Sequence, residues 1–217
     1  MKLLILISLL ILGCNNANTN ITEEAAILLY DRASDKEYDD EFGAIEDLTI
    51  ALEIDPNFVE AYFLRASINA KLAFDENLTL KDIDGRNLYL FTSIEDLTKI
   101  IEIPSNYEPL LIWRLNEPPG SLDEPMSEAH GIAYYWRGEM KYEMWDYYGA
   151  IRDFTKAIEI FPEMETAANY YYMRGAAKYY TDDVKGACKD WKEVIDEGVA
   201  DDAYSTLAAD MYDAECY

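Results

Sequence analysis

An all-α architecture, a solenoid of four helix pairs plus a C-terminal capping helix, is what this chain predicts. Three observations carry that expectation. An aromatic-rich run ending in Arg and a small residue occurs four times: Tyr30-Asp31-Arg32-Ala33, Tyr62-Phe63-Leu64-Arg65-Ala66, Tyr134-Tyr135-Trp136-Arg137-Gly138 and Tyr171-Tyr172-Met173-Arg174-Gly175. Each is followed by a small residue, an apolar residue, then Asp and a large apolar residue. These runs are Ala44-Ile45-Glu46-Asp47-Leu48, Ser93-Ile94-Glu95-Asp96-Leu97, Ala150-Ile151-Arg152-Asp153-Phe154 and Ala187-Cys188-Lys189-Asp190-Trp191. Within each half the apolar residues fall three and four apart, the stripe of an amphipathic helix. A unit of two such helices cannot bury its apolar face alone, so repetition implies stacking.

The elements follow in order. Residues 1–13 stand apart from the fold: Lys2 precedes an apolar run, Leu3 to Leu12, too short to span a bilayer as a mature helix. The segment Ile11-Leu12-Gly13-Cys14 resembles a bacterial lipoprotein signal, which implies cleavage before Cys14 and a lipid chain on that cysteine. Residues 14–20 read as a short polar tether. The first unit spans about 21–56; Ala44, Ile45, Leu48, Ala51 and Leu52 form the stripe and Pro56 ends it. The second spans about 57–104. Its small residues, Ala66 and Ser93, lie far apart compared with Gly138 and Ala150, so an insertion is expected at about 74–88. A Pro-rich connection follows at about 104–126, with Pro104, Pro109, Pro118, Pro119 and Pro125 forbidding continuous helix. Unit three covers 127–162, with Ala150, Ile151, Phe154, Ala157, Ile158 and Phe161 on one face and Pro162 as the stop. Unit four covers 164–198, and a capping helix at about 201–215 covers its open face.

Gly138, Ala150, Phe154, Ala157 and Pro162, together with Ala33, Ala44, Leu48, Ala51 and Pro56, resemble the signature of the tetratricopeptide repeat. That family stacks helix–turn–helix units of about 34 residues into a superhelix. The resemblance implies that the first helices line a concave surface that holds peptides. The segment Gly186 to Trp191 with a near-terminal cysteine is similar to the ending of many bacterial proteins of this type, and implies a Cys188–Cys216 disulfide. Two buried thiols are the alternative. The family's carboxylate-binding version uses a Lys and Asn set that this chain lacks, so capture of a C-terminal carboxylate is not expected.

The composition narrows the function. The chain carries 43 acidic against 18 basic residues, a net charge of −25, which repels nucleic acid and anionic lipid. Loss of residues 1–13 removes only Lys2 among the charged residues and makes the balance more negative. Membrane association is therefore expected through the lipid anchor only. The expected partner is a protein or peptide; the acidity favours a basic one, and solubility with weaker self-association is the alternative reading of that charge. With His130 as the one histidine, a histidine metal cluster is excluded; His130 itself reads as a surface or cap-proximal residue. Asp82-Ile83-Asp84-Gly85 is a poor calcium loop, since Leu80 and Phe91 occupy ligand positions. Neither a nucleophile–base arrangement nor a Gly-rich phosphate loop is present, so no enzyme activity, cofactor or metal is expected.

Two residue classes remain. The recurring Arg32, Arg65, Arg137 and Arg174 with Asp47, Asp96, Asp153 and Asp190 read as ion pairs between helices, because a packing solution repeats in every unit and a binding site does not. The aromatic class, drawn from 18 tyrosines, supplies the candidate partner-binding residues Tyr30, Phe63, Tyr135 and Tyr172, with Tyr142 and Tyr179 two turns on. The expected function is a lipid-anchored interaction module of a bacterial cell envelope with an aromatic, acidic groove. Alternatives are an outer-membrane assembly scaffold, and a glycan-binding lipoprotein using Trp113, Trp136 and Trp145.

Overall fold

The computed structural model describes residues 17–74, 83–107, 125–162, 164–196 and 203–216. The lipobox with Cys14, Trp113 and most of the Pro-rich connection lie outside them. The described residues are all-helical: α1 (Ala17–Lys36), α2 (Glu41–Ile54), α3 (Val59–Ala73), α4 (Ile83–Glu102), α5 (Pro125–Glu143), α6 (Tyr147–Ile160), α7 (Met164–Tyr179), α8 (Val184–Asp196) and α9 (Ala203–Glu215). Consecutive helices pack as antiparallel pairs in one continuous array, and α9 closes it against α8 and α7. First helices also touch across units, α3 on α5 and α5 on α7, whereas among the described residues the second helices have no comparable contact. The array therefore curves with its first helices inside.

Local chemistry sets the helix ends. Asp40, Asp146 and Asp183 cap α2, α6 and α8, accepting from the N–H of Gly43, Gly149 and Gly186 at 2.9–3.0 Å. A Cβ on Gly149 would lie 2.0 Å from the Asp146 carboxylate, so the cap requires glycine there. Counting back from Asp96 as from Asp47, Tyr89 and Thr92 replace that Asp and Gly in unit two. Nothing stops α4, which runs upstream to Ile83. Of the expected insertion at about 74–88, residues 83–88 are helical and lengthen α4, and 75–82 lie outside the described residues. The expected tether at 14–20 is likewise shortened, because α1 already begins at Ala17; each further residue adds one hydrogen bond to an existing helix. The α5–α6 and α7–α8 turns are both tight 6→1 closures, Asp146 N–H to Lys141 O and Asp183 N–H to Lys178 O. They place Trp145 and Asp182 in left-handed backbone, φ 64° and 62°.

Packing follows a size rule. Gly138 and Gly175 on first helices stand opposite Phe154 and Trp191 on second helices, and the matching repeat positions are Ala33 with Leu48 and Ala66 with Leu97. Alanine occurs with leucine and glycine with the aromatic residue. A Cβ on Gly138 would sit 2.7 Å from the Phe154 ring, and one on Gly175 2.6 Å from Trp191. Phe154 and Trp191 are fully buried, so neither ring has room to retreat.

The Arg and Asp residues form a ladder. Asp96, Asp153 and Asp190 each accept two bonds from the Arg of the same unit, at 2.6–2.9 Å. Arg32 grips Asp47 in the same way. Such forked pairs are geometrically specific. The third Arg nitrogen reaches the preceding unit: Arg65, Arg137 and Arg174 donate to Thr49, Thr98 and Thr155 Oγ1 at 2.9, 3.0 and 3.3 Å. Each threonine hydroxyl donates to the carbonyl four residues back at 2.7 Å, which leaves its lone pairs to the arginine. The same position in the last unit is Lys192, which pairs with Asp196. There is no fifth arginine to meet. A lysine one turn after Arg adds a further bond in units one, three and four, from Lys36, Lys141 and Lys178. Unit two has Asn69 instead, which donates to the Arg65 carbonyl. Burial pushes the Asp47 carboxyl up, but the hydrogen bonds and charge of Arg32 and Lys36 hold it below its ordinary value. Asp96 is more deeply buried and lacks the lysine, so burial raises it.

Two further ties hold the ends. His130 is half-buried and donates from Nε2 to the Ile103 carbonyl at 2.9 Å. It thus ties α5 to the residue that follows α4, a contact that leaves it half-buried and not a free surface residue. Cys188 and Cys216 are joined in a disulfide with Cα atoms 5.7 Å apart, fixing the end of α9 to α8.

Candidate functional site

Among the described residues, a small half-open cleft of about 180 Å³ lies between α3, α4 and α5. Ala66, Ser67 and Ala70 contribute one wall, Leu97 the floor, and Trp136, Glu139 and Met140 the other wall. The walls approach closely because α3 presents only small residues there. Trp136 is held upright by an edge-to-face contact with Phe63, ring centroids 5.4 Å apart at 80°.

Glu139 is the polar feature of the cleft. Its Oε1 accepts the Tyr135 hydroxyl at 2.7 Å. Tyr204 of α9 hydrogen-bonds to the same tyrosine, which links the cap to the groove. Burial raises the Glu139 carboxyl above its ordinary value, the Tyr135 hydrogen bond opposes this, and the charge of Glu143 adds to it. The neighbouring Glu143 is paired with Arg86 at 2.6 Å. Glu139 forms no ion pair among the described residues, unlike the four buried aspartates of the ladder.

Tyrosines surround this centre as neutral hydroxyls. Burial raises Tyr135, Tyr142 and Tyr172, and nearby phenolic and carboxyl groups add to the effect. Tyr107, which follows α4, is pushed up to about 12 by burial and by Asp55, Glu60 and Glu23. All remain hydrogen-bond donors near neutral pH.

The six aromatic candidates do not form one open row. Tyr30 is half-buried and packs on Phe58, ring centroids 5.3 Å apart. Phe63 supports Trp136 in the cleft. Tyr135 is buried against Phe154 and Tyr170, so it is core with only its hydroxyl turned to Glu139. Tyr142 meets Tyr147 and Tyr180 edge to face. Tyr172 packs on Tyr204. Tyr179 lies between Tyr180 and Trp191 and hydrogen-bonds Glu215 of α9. The structure thus joins Phe63 and Tyr135 at one cleft and places Tyr142, Tyr172 and Tyr179 in a tyrosine layer reaching the cap, with Tyr30 apart on Phe58.

Glu139, Ser67 and Tyr204 were not singled out from sequence. Glu139 and Ser67 occupy one repeat position, two residues after the Arg, and that position varies between units: Ser34, Ser67, Glu139, Ala176. Variation on the inner face was the available signal. Trp136 was noted as a sugar-stacking candidate with Trp145. The two are not one platform: Trp136 lines the cleft, while Trp145 is 72% exposed on the α5–α6 turn. Among the described residues no three His, Cys, Asp or Glu side chains converge as a metal site, and no helix is long and apolar enough to cross a membrane.

Comparison of the chain with protein-family models and with curated proteins finds no match.

Proposed function

We propose that this chain is a tetratricopeptide-type interaction module, anchored by a lipid on Cys14 in a bacterial cell envelope, that binds a basic protein or peptide on its inner face. One observation carries the reading. The curved array presents an aromatic cleft whose acidic group, Glu139, has no ion-pair partner among the described residues. A stacked helical array builds such a surface from side chains spaced along parallel first helices, which suits an extended ligand. The net charge of −25 favours encounter with a basic partner at low salt. No catalytic chemistry is part of the proposal.

The test is affinity capture from detergent-solubilised envelope with the wild-type chain and with Trp136→Ala. The reading expects a discrete partner on the wild type and its loss on the variant, with both proteins equally helical. Recovery of no discrete partner, or equal recovery on both, counts against it.

A further inference from the structure

We infer that the cleft between α3, α4 and α5 is a specificity pocket for a single lysine side chain of the partner. This rests on the interaction-module reading and names the chemistry of its central contact. The shape supplies the first argument. Small and apolar side chains, Ala70, Leu97 and Met140, form a narrow passage that matches an aliphatic stem. Ser67 is exposed at the mouth, so the passage opens to solvent. Trp136 forms one wall, and an indole face is the strongest of the aromatic partners for a cation.

The second argument comes from Glu139. Glu139 is half-buried, and a carboxylate partly withdrawn from water gains from a compensating charge. The ladder aspartates obtain theirs from arginines of this chain; Glu139 has no such partner among the described residues. A cationic ligand would supply it.

The third argument separates lysine from arginine. Glu139 Oε1 is occupied by the Tyr135 hydroxyl at 2.7 Å. Asp153 and Asp190 each take a fork on an oxygen that also accepts a lysine, so the bond from Tyr135 alone does not decide. Width decides: the cleft between α3 and α5 is small, about 180 Å³, and a compact ammonium on a flexible stem enters it more readily than a planar guanidinium.

The experiment uses the full-length chain in detergent, labelled with 5-fluorotryptophan, the Trp136 signal being assigned by Trp136→Phe. The probe is Nα-acetyl-lysine methylamide, with the norleucine, Nε-acetyl-lysine and arginine counterparts as comparators. Lysine amide is expected to shift the Trp136 fluorine signal saturably. The norleucine and acetyl-lysine amides should leave it unmoved, and the arginine amide should bind more weakly, its planar head being wider than an ammonium. Glu139→Gln keeps an acceptor for Tyr135 and should abolish the lysine response while the melting temperature holds or rises. An absent lysine response, an equal response to norleucine, or an unchanged response in Glu139→Gln overturns the inference. Arginine binding as tightly as lysine overturns the choice of cation. Failure here with partner capture intact on the wild type leaves the broader reading standing; failure of both removes both.

Discussion

Gly138→Ala with Phe154→Leu tests the size rule that pairs the helices. The added Cβ of Gly138→Ala would lie 2.7 Å from a fully buried Phe154 ring, well inside ordinary carbon contact. Overpacking of this kind costs about 1–3 kcal/mol, while replacing a mid-helix glycine returns up to about 1 kcal/mol of helix propensity. The single variant should therefore lose on the order of 1 kcal/mol, the difference of those two effects. Phe154→Leu alone opens space beside Gly138 and should cost about 1–3 kcal/mol. The double variant recreates the combination that Ala66 and Leu97 already use in unit two. Propensity cancels in a double-mutant cycle, so the coupling isolates the contact and should be favourable by about 1–2 kcal/mol. Urea unfolding of the four proteins measures it. Additive losses, with coupling below about 0.3 kcal/mol, would show that the two positions do not pack as described.

Other perturbations probe the rest of the structure. Thr98→Val removes the acceptor of Arg137 Nη1 between units two and three and should cost about 1–2 kcal/mol, read from urea midpoints; no loss would mean that the threonine bridges do not couple the units. Glu139→Gln should flatten the pH dependence of stability. The folded Glu139 carboxyl is raised, so its contribution is present below its ordinary value of 4.5 and lost as pH climbs through the folded value. The variant should therefore match wild type at low pH and melt higher at pH 7, and a lower melting point at pH 7 contradicts the sign. Reduction of Cys188–Cys216 should lower stability by about 3 kcal/mol in the chain-entropy account of a loop of this size. It should also loosen α9, seen as faster amide exchange at Tyr204 and Ala208; unchanged exchange would mean that packing alone holds the cap.

Much of the fold was legible because its repeated chemistry is also structural. The Arg and Asp runs mark the same interhelical fork four times, and the small residues mark the closest approach of each pair. Lys36, Lys141 and Lys178, and Thr49, Thr98 and Thr155, repeat just as plainly and complete that network, yet they are ordinary residues on an acidic helical surface and drew no attention alone. The start of α4 was not legible because its boundary depends on what is missing: without the Asp cap and its glycine, the helix continues. The site was harder to read. Successive residues on a helix point about 100° apart, so Tyr135 enters the core while Trp136 and Glu139 reach the cleft. Choosing the aromatic two places before each Arg therefore mixed inner-face residues with packing residues. The cleft became visible only when α3 and α5 were placed side by side.

The most direct measurement is photo-crosslinking from two exposed positions. A benzoylphenylalanine at Ser67, at the mouth of the cleft, is compared with one at Lys156, on the second helix of unit three. Binding on the inner face predicts a partner adduct from position 67, absent from position 156 and suppressed by excess lysine-containing peptide. An adduct from position 156 with none from position 67 would place the partner on the outer face and contradict it.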